Sequence, residues 1–322
     1  MMRVFVYEHL SAGGTADAPE ELLTAGREMR DAVARDLLRT GDCAVSVAIG
    51  THATEVPPGA TPIATPLRAS GERAIGSAEF VAQQSRLHDR TWVIAPETDG
   101  VLAQMQRAVD ASRWLGCDGA AIALASSKRA TIAHAAGHGV TTPLAFAASP
   151  ATRRWVVKPD DGAGAVATRV HNTRAAALED MAARRERGDA VVLEAWVAGE
   201  PLSLSLLCGA QDAELLSVNR QHLAIDALGA VSFEGVQIHA LQDTDPRMGT
   251  LRTWARTLAR SFPGLRGYVG IDLVWHAQRG PVLIEINPRA TMAYVGLSAT
   301  LGRNVAAAVL DAHHQELAHA LT

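Results

Sequence analysis

Two acids and an amide near the C-terminal end of the sequence have the types and spacing of a metal site. In the segment LIEIN, Glu285 and Asn287 are two residues apart, so on a strand both project from the same face. Asp272 lies in the preceding apolar segment GIDLVW, and the intervening loop allows the two segments to pair antiparallel. Buried carboxylates are costly unless a cation neutralises them, so these oxygens predict Mg²⁺. The alternative interpretation is that each acid pairs with an arginine such as Arg289.

A glycine-rich loop after Lys158 has the composition of a phosphate-binding segment. In PDDGAGAVAT, the backbone N–H groups near Gly162 and Gly164 can approach phosphate oxygens without obstruction by a Cβ atom, and Lys158 adds a cation. The spacing GxGxxA imitates the dinucleotide fingerprint, but that fingerprint opens a helix, whereas here the sequence continues as a strand. We expect a hairpin flap over a triphosphate, and an ordinary β-turn is the alternative.

Histidines give less support for a metal site. His134 and His138 have helical i, i+4 spacing, but Ala135 stands where the zinc motif HExxH requires an acid, so surface or packing roles are expected. His313 and His314 are adjacent, do not share a helix face and are predicted to be solvated. The sequence contains neither a GxSxG elbow nor a Walker P-loop, so a hydrolase triad and a Walker ATPase have no support.

Length and composition limit the class of protein. The 322 residues suffice for two compact domains or three small ones, and the net charge of −4 gives no overall attraction to nucleic acid or to an anionic membrane. Cys43, Cys117 and Cys208 are far apart, which disfavours a disulfide scaffold and predicts a reducing compartment. The first residues do not read as a signal peptide, and no apolar run approaches the roughly 20 residues of a membrane span. We therefore expect a cytoplasmic protein.

The hydrophobic pattern of the first third predicts an open parallel α/β unit. Strands are expected at 3–7, 44–49 and 91–96, and helices at 20–38, 77–88 and 100–114, with a proline-rich connector at 55–66. Ligands approach such sheets at the carboxyl ends of the strands, so the loops after Tyr7 and Ala95 should face the site. The candidate substrate contacts in these loops, for which helix capping or surface exposure is the alternative, are Glu8, His9, Ser11, Gly13, Gly14, Glu97 and Thr98.

The rest of the chain is predicted to be mainly antiparallel sheet with a few helices, which makes the fold class α/β followed by α+β. One short helix is expected within 126–143 and a hairpin with a glycine-rich tip from Arg154. A helix at 173–187 is followed by predicted strands at 191–197, 201–209, 214–221, 270–276 and 281–288.

Five segments in order resemble the motif series of the ATP-grasp superfamily: SSKRAT, WVVKPDDGAG, VLEAWVAGE, GIDLVW and LIEINPRATMAYVGLS. The resemblance covers about residues 91–304, and APETDG with NPRATMAYVGLS is similar to the subgroup that contains the tyramine-glutamate ligase of methanofuran biosynthesis and related amino-acid ligases. It implies an ATP-grasp fold, with an N-terminal pre-ATP-grasp α/β domain at 1–120. Two α+β lobes, at 121–196 and 197–322, would clamp ATP between them.

The resemblance also implies roles for individual residues. Lys128 and Lys158 match the lysines that hold the α- and β-phosphates, and 161–166 match the mobile flap, including Asp161, Gly162 and Gly164. The adenine-binding segment would contain Glu194, Ala195 and Val197, with Trp196 at the hinge between the lobes. Asp272, Glu285 and Asn287 match the ligands of the magnesium ions, expected to be two, that bridge the β- and γ-phosphates.

Two positions depart from the family pattern. Pro201 stands where relatives place the acid that binds the ribose, with Glu200 beside it. Gly270 stands where several amino-acid ligases carry an arginine, so Arg289 or Arg220 is expected to stabilise the reacting oxyanion. By charge, an amine substrate would suit Glu8 or Glu97, and a glutamate-like carboxylate would suit Arg220 or Arg289.

The resemblance implies a carboxylate-amine ligase that works through an acyl phosphate and releases ADP and phosphate. The subgroup suggests the coupling of glutamate or another amino acid to an amine precursor of a one-carbon carrier such as methylofuran or a methanopterin. Small molecules are the expected partners, without nucleic acid or membrane, and a homodimer is an open alternative to a monomer. The alternative functions are an ATP-grasp kinase that phosphorylates a hydroxyl and a nucleotide-binding regulatory protein without turnover.

Overall fold

The N-terminal part of the computed structural model is a five-stranded parallel sheet in the order β3-β2-β1-β4-β5. The structure describes residues 1–15, 18–51, 54–66, 75–162, 164–210 and 212–320. The elements of this part are β1 (Met2–Glu8), α1 (Glu20–Leu38), β2 (Cys43–Ile49), β3 (Thr61–Ala64), α2 (Ser77–Leu87), β4 (Arg90–Ile94), α3 (Val101–Ala108) and β5 (Trp114–Leu115).

The predicted strands and helices of this part are largely confirmed, with two differences. The helix expected at 100–114 is wrong in length, because the chain becomes extended at Val109 and the apolar pair Trp114–Leu115 forms a strand beside β4. The connector at 55–66 contains β3, which pairs with β2 at the edge of the sheet. Pro62 lies in this strand, and an edge strand tolerates proline because one side of its backbone needs no partner.

The middle of the chain forms a three-stranded antiparallel sheet in the order β7-β6-β8, preceded by short helices. The predicted hairpin is confirmed, but its second strand is shorter than expected and begins at Arg169. The elements are α4 (Gly119–Ala125), α5 (Lys128–Gly137), α6 (Leu144–Ala147), β6 (Trp155–Pro159), β7 (Arg169–His171), α7 (Arg174–Glu186) and β8 (Val191–Ala195). The sheet packs against α7 around a small core of its own, formed by Trp155, Val157, Ala177, Val191 and Ala195.

The C-terminal part is a five-stranded antiparallel sheet in the order β11-β10-β9-β12-β13. Its strands cover the predicted ones, and β11 and the helices after it are additions that the sequence pattern did not assign. The elements are β9 (Glu200–Cys208), β10 (Ala213–Ile225), β11 (Val231–Gln237), α8 (Met248–Ser261), β12 (Gly267–His276), β13 (Gly280–Asn287), α9 (Leu297–Leu301) and α10 (Val305–Ala320).

The N-terminal and C-terminal sheets share their hydrophobic cores. Phe5 of β1 and Leu204 of β9 belong to one large buried cluster, and Val4 and Tyr294 belong to another. The carboxylate of Asp36 in α1 reinforces the second cluster, since Oδ2 accepts hydrogen bonds from Tyr294 (3.1 Å) and from Ser298 (2.5 Å). Each sheet lies within one of the three ranges predicted for the domains. The described part of the chain has no helix with the length and hydropathy of a membrane span.

The C-terminal sheet has one apolar and one polar face. Leu202, Leu204 and Leu206 of β9 enter the large core, so the alternating Ser203 and Ser205 lie on the opposite face. On that face Asn219 of β10, fully buried, donates to Ser203 Oγ (3.3 Å) and to Ser205 Oγ (3.2 Å). These hydrogen bonds fix the orientation of the three polar side chains on this face of the sheet. Ser203 pairs directly with Asp272 of β12 in the strand register, which places the first predicted metal acid on the same face.

Candidate active site

The β12–β13 hairpin brings the three predicted metal ligands together. Asp272 pairs directly with Glu285, and Gly270 pairs with Asn287. The Asn287 Nδ2 atom lies 3.2 Å from Asp272 Oδ2, and Gln221 of β10 donates to Asp272 Oδ1 at 2.9 Å. The sequence patterns gave no indication of Gln221, since its role depends on the register of β10 in the sheet.

The electrostatics of this hairpin suit a cation. Burial raises the pKa of Asp272 to about 7, and the charge of Glu285 adds to the increase, while hydrogen bonds from Asn287 and Gln221 oppose it. Two acids and one amide supply the oxygen donors that Mg²⁺ prefers, and Mg²⁺ usually completes its coordination with phosphate and water. The three residues therefore fit a magnesium ion. Within the described ranges no group of three or more His, Cys, Asp or Glu side chains forms a metal site by itself.

Lys128 contacts both the glycine-rich flap and the β12–β13 hairpin, which we call the metal hairpin because it carries the three predicted metal ligands. It is the first residue of α5, whose N-terminus is capped by Ser127 Oγ, which accepts from the Ala130 amide. The Lys128 ammonium is buried, lies 2.9 Å from Glu285 Oε1 and donates to the Gly162 carbonyl at 2.6 Å. One predicted phosphate ligand, the flap and one predicted metal ligand thus meet at a single point.

Lys158 makes a second buried ion pair. It lies on β6, and its Nζ atom is 2.8 Å from Oε2 of Glu194 on the neighbouring strand β8. Both side chains are 7% exposed, so the charges are screened little by water. The structure therefore places the second predicted phosphate lysine beside the predicted adenine-site acid.

A composition signal singles out these two lysines. Lys128 and Lys158 are the only lysines in the sequence, and the other 28 of its 30 lysine and arginine residues are arginine. A lysine ammonium is a compact charge on a flexible stem, whereas the arginine guanidinium is a planar fork. The restriction of lysine to these two positions is a signal in the composition that the motif spacings do not contain.

The flap touches both neighbouring parts of the protein. Asp161 Oδ2 accepts a hydrogen bond from the backbone N–H of Asp99 in the loop before α3, at 3.0 Å. Beyond the flap, β7 forms a bridge to the loop between β10 and β11: the Val170 N–H donates to the Gly229 carbonyl (2.8 Å), and the Val231 N–H donates to the Thr168 carbonyl (3.0 Å). These contacts connect Asp161 to the N-terminal part and the strand after the flap to the C-terminal part. Gly164, within the flap, has a positive φ of 69° that glycine adopts readily.

The predicted hinge lies where the three-stranded sheet ends and the five-stranded sheet begins. Ala195 is the last residue of β8, and Trp196 and the buried Val197 follow it before β9. The Trp196 N–H donates to the Arg154 carbonyl at 3.0 Å, and the Arg154 guanidinium lies 5.5 Å from the Trp196 ring centroid. These contacts fix the position of the segment that leads from β8 of the three-stranded sheet to β9 of the five-stranded sheet. The adenine roles of this segment stay predictions.

Glu200 is held by two arginines. Its Oε1 atom accepts from Arg220 Nε at 2.8 Å, and its Oε2 atom accepts from Arg247 Nη1 at 2.5 Å. Burial acts to raise the pKa of Glu200, but the hydrogen bonds from the arginines outweigh it and lower the pKa. Arg220 also donates to Gln237. Glu200, predicted to bind the ribose, and Arg220, predicted to be catalytic, thus belong to one ion-pair cluster. The third member, Arg247, was not predicted from the sequence.

The structure brings together the candidate substrate residues Arg289 and Glu97. Arg289 Nε lies 2.9 Å from Glu97 Oε1, and Arg289 Nη2 lies 3.0 Å from Glu97 Oε2. The pair joins the loop after β4 to the chain that follows β13. Arg289 was the arginine named in the ion-pair alternative for the metal acids, but the partner of Glu285 is Lys128.

Glu8 has a different environment. Its side chain is 2% exposed, and its two oxygens accept hydrogen bonds from the backbone N–H groups of Leu10 (3.0 Å) and Ser11 (2.7 Å). Burial raises the pKa of Glu8, although these hydrogen bonds oppose the increase. A Cβ atom at Gly26 of α1 would lie 2.5 Å from Glu8 Oε2, so the helix packs closely on this carboxylate. Glu8 therefore shapes the loop that follows β1, and its contact with a substrate stays a prediction.

The histidine pair on α5 has a packing role. The rings of His134 and His138 are 4.3 Å apart, His134 Nε2 is 2.5 Å from the Ser261 carbonyl, and His134 also contacts the Phe262 ring edge to face. These contacts favour the packing interpretation that the sequence suggested over a zinc site.

Comparisons with known proteins agree with the fold. The family model described as ATP-grasp domain matches residues 125–293, and the model described as pre ATP-grasp 3 domain matches residues 51–122. No curated protein sequence matches the chain. A solved ATP-grasp superfamily protein from Archaeoglobus fulgidus has 19% identity and a TM-score of 0.70, over 97% of this chain and 88% of that one.

Two ligases of known structure are also similar. The L-amino acid ligase from Bacillus licheniformis has 17% identity and a TM-score of 0.66, over 97% of this chain and 74% of that chain. The D-alanine–D-alanine ligase from Bacillus anthracis, solved with ATP, has 12% identity and a TM-score of 0.64, over 98% of both chains. At such identities the likeness is one of fold. Since the ATP-grasp domain model covers more than half of the sequence, the chain belongs to the ATP-grasp family.

Proposed function

We propose that the protein is an ATP-dependent ligase that joins a carboxylate to an amine and forms ADP and phosphate. The observation that carries the proposal is the contact of Lys128 with both Glu285 and the Gly162 carbonyl, because it joins the lysine predicted to bind phosphate, an acid predicted to bind metal and the flap. The ATP-grasp domain match and the similarity to two amino-acid ligases support the same reaction class.

The reaction begins with activation of the carboxylate, which is a poor electrophile. A carboxylate oxygen forms a bond to the γ-phosphorus of ATP while the bond to ADP breaks, giving an acyl phosphate. Lys128 and Lys158 would neutralise charge on the phosphate oxygens as it develops. Asp272, Glu285 and Asn287 would hold Mg²⁺, which would supply further neutralisation of the charge on the phosphates.

The second step forms the amide. The amine nitrogen attacks the acyl carbon, the carbon–oxygen bond to phosphate breaks, and the nitrogen loses a proton. The flap, tied to Asp99 on one side and followed by the bridge to Gly229 on the other, would exclude the water that otherwise hydrolyses the acyl phosphate. The buried pair of Glu97 with Arg289 offers charges of both signs beside this region, which suits an amino acid as a substrate.

The finer proposal concerns the substrates. The resemblance of APETDG and NPRATMAYVGLS to the tyramine-glutamate ligase subgroup supports the coupling of glutamate, or another amino acid, to an amine precursor of a one-carbon carrier in the cytoplasm. The test is incubation with Mg-ATP and a panel of amino acids and aromatic amines, with measurement of released phosphate and of product mass. An amide product with equal amounts of ADP and phosphate is expected. ADP release that depends on an alcohol, without an amide, would identify a kinase instead.

One substitution tests whether this activity depends on the metal hairpin. Glu285→Ala should abolish Mg²⁺-dependent ADP formation while the circular dichroism spectrum stays that of the folded protein. Glu214→Ala is the matched control, because Glu214 lies on the same sheet in a half-exposed ion pair with Arg303. Unchanged turnover in Glu285→Ala would remove the metal assignment.

A further inference from the structure

The carboxylate expected to bind metal already has a cation beside it. Lys128 Nζ lies 2.9 Å from Glu285 Oε1, and the lysine side chain is only 8% exposed. The same ammonium donates to the Gly162 carbonyl at 2.6 Å, so it is anchored on the flap side as well. The Lys128 ammonium therefore compensates the charge of Glu285, and Arg289 adds positive charge from further away.

A divalent ion and the ammonium compete for this carboxylate. Mg²⁺ binds carboxylate oxygens at about 2.0–2.1 Å, which would bring it within a few ångströms of the Lys128 nitrogen. At that separation, in a buried site, the repulsion between the two positive charges is strong. Lys128 therefore has to leave Glu285 for the ion to bind tightly, and a buried ammonium leaves readily only when another anion replaces its partner. The phosphates of a nucleotide are such an anion.

We propose that Lys128 is a place-holding cation that suppresses metal binding until a nucleotide draws it away from Glu285. The inference rests on the proposed function for the identity of the metal acid. Nucleotide binding then creates the metal site, and by thermodynamic linkage the metal favours nucleotide binding by the same factor. Free Mg²⁺ is thereby kept from a site whose carboxylates would otherwise attract it.

Lys158 provides an internal control. It makes an equally buried ion pair, 2.8 Å from Glu194, but Glu194 does not belong to the metal set. Replacing either lysine by methionine removes one positive charge and keeps most of the side-chain volume. Only the replacement at position 128 should change the binding of a metal ion offered alone.

The first experiment measures Mn²⁺ binding to the nucleotide-free protein by electron paramagnetic resonance of the free ion. We expect Lys128→Met to bind Mn²⁺ about tenfold or more tightly than the wild type, and Lys158→Met to stay within about twofold of it. In the double variant Lys128→Met/Glu285→Gln the gain should disappear.

Two results would overturn the inference in distinguishable ways. If Lys128→Met binds Mn²⁺ no more tightly than the wild type while Glu285→Gln still weakens binding, the place-holding role fails and the metal site stands. If Glu285→Gln changes nothing in either background, the metal assignment of the proposed function fails together with the inference.

A second experiment needs no variant. Because the sequence has two lysines, an amine-reactive acetylating reagent followed by peptide mass spectrometry reports on Lys128 and Lys158 separately. Saturating Mn²⁺ without nucleotide should raise the acetylation rate of Lys128 several-fold, since the ion displaces the ammonium from Glu285, and should leave Lys158 unchanged. An unchanged rate at Lys128 under saturating Mn²⁺ would show that ion and ammonium coexist, which contradicts the proposal.

Discussion

Arg289 and Glu97, 192 residues apart in the sequence, form a two-pronged ion pair between the N-terminal sheet and the end of the metal hairpin. The Glu97 side chain is 4% exposed and the Arg289 side chain 10% exposed, so the two buried charges compensate each other, and Glu285 and Asp272 add negative charge near Arg289. The pair thus positions the loop after β4 against the chain that follows the predicted metal ligands of β13.

Removal of the negative partner should destabilise the protein. Glu97→Gln leaves a buried guanidinium without its bidentate counter-charge, and we expect a loss of about 3 kcal/mol in the free energy of unfolding, measured by urea denaturation. The control is Glu214→Gln, whose half-exposed pair with Arg303 should contribute less than about 1 kcal/mol. Equal effects of the two substitutions would contradict the assignment of Glu97 and Arg289 as a compensated buried pair.

Loss of Lys158 should weaken nucleotide binding. Lys158→Met removes a charge-assisted contact worth about 1.5–3 kcal/mol, which corresponds to roughly a 10- to 100-fold higher Kd for ATP. Fluorescent nucleotide titration measures the Kd, and circular dichroism should show that the fold is retained. Arg187→Met, in the same lobe but exposed, is the control and should leave the Kd unchanged. An unaltered Kd in Lys158→Met would place the triphosphate elsewhere.

Gly229 should control how firmly the flap lobe is bridged to the C-terminal sheet. A Cβ atom there would lie 2.1 Å from the Val170 carbonyl, so Gly229→Ala should break the bridge. We expect faster hydrogen exchange at the Val170 and Val231 amides and a KM for ATP raised several-fold. Gly280→Ala is the matched control: Gly280 has a similar positive φ of 67° at a hairpin turn but open space around it. If both variants speed exchange at these two amides equally, a general loss of stability rather than the broken bridge explains the effect.

His313 should make stability depend on pH. The sequence prediction that this residue is solvated is wrong, since His313 is buried and its Nε2 atom accepts from the Gly116 N–H at 3.1 Å. Burial lowers its pKa to about 4, and the positive charges of Arg90, Arg266 and His314 add to the decrease.

The sign follows from proton binding. Between pH 6.5 and 4 the unfolded chain binds more protons at His313 than the folded protein, so its contribution to stability is complete above about pH 6.5 and is lost as the pH falls towards 4, by up to about 3 kcal/mol. In thermal denaturation across this range, His313→Gln should flatten the dependence. His314→Gln, at an exposed neighbour, should preserve most of it, because burial rather than the charge of His314 is the main cause of the low pKa. A slope that is the same in both variants would exclude His313 as its source.

The hydrophobic patterns predicted the strands and helices well where the residues of one element alone determine its structure. The alternation in LIEIN placed Glu285 and Asn287 on one strand, and the hairpin with Asp272 follows from the short connection. The length of α3 was wrong, because Trp114 and Leu115 continue a helical pattern but gain more by burial beside β4. Strand β3 was not predicted, because proline is rare within strands and Pro62 made the segment look like a connector.

The contacts between the site residues could not be predicted from the sequence. That Lys128 meets Glu285, that Glu97 meets Arg289 and that Gln221 reaches Asp272 depends on how separate sheets pack, and no local spacing encodes it. The restriction of lysine to two positions was visible in the composition, but its meaning became clear only when both side chains were found in buried ion pairs.

The small separate core of the three-stranded sheet has a consequence for how the molecule loses its structure. Among the described residues, five buried side chains, including Trp155 and Val191, form the core of this lobe, whereas the other two sheets share far larger clusters. A unit with so little buried surface opens at a lower free energy than the global transition. Mild heat or dilute denaturant should therefore melt the lobe that carries Lys158 first, leaving a partly folded species in which the β12–β13 hairpin is intact and Lys158 and Glu194 have lost their fixed positions.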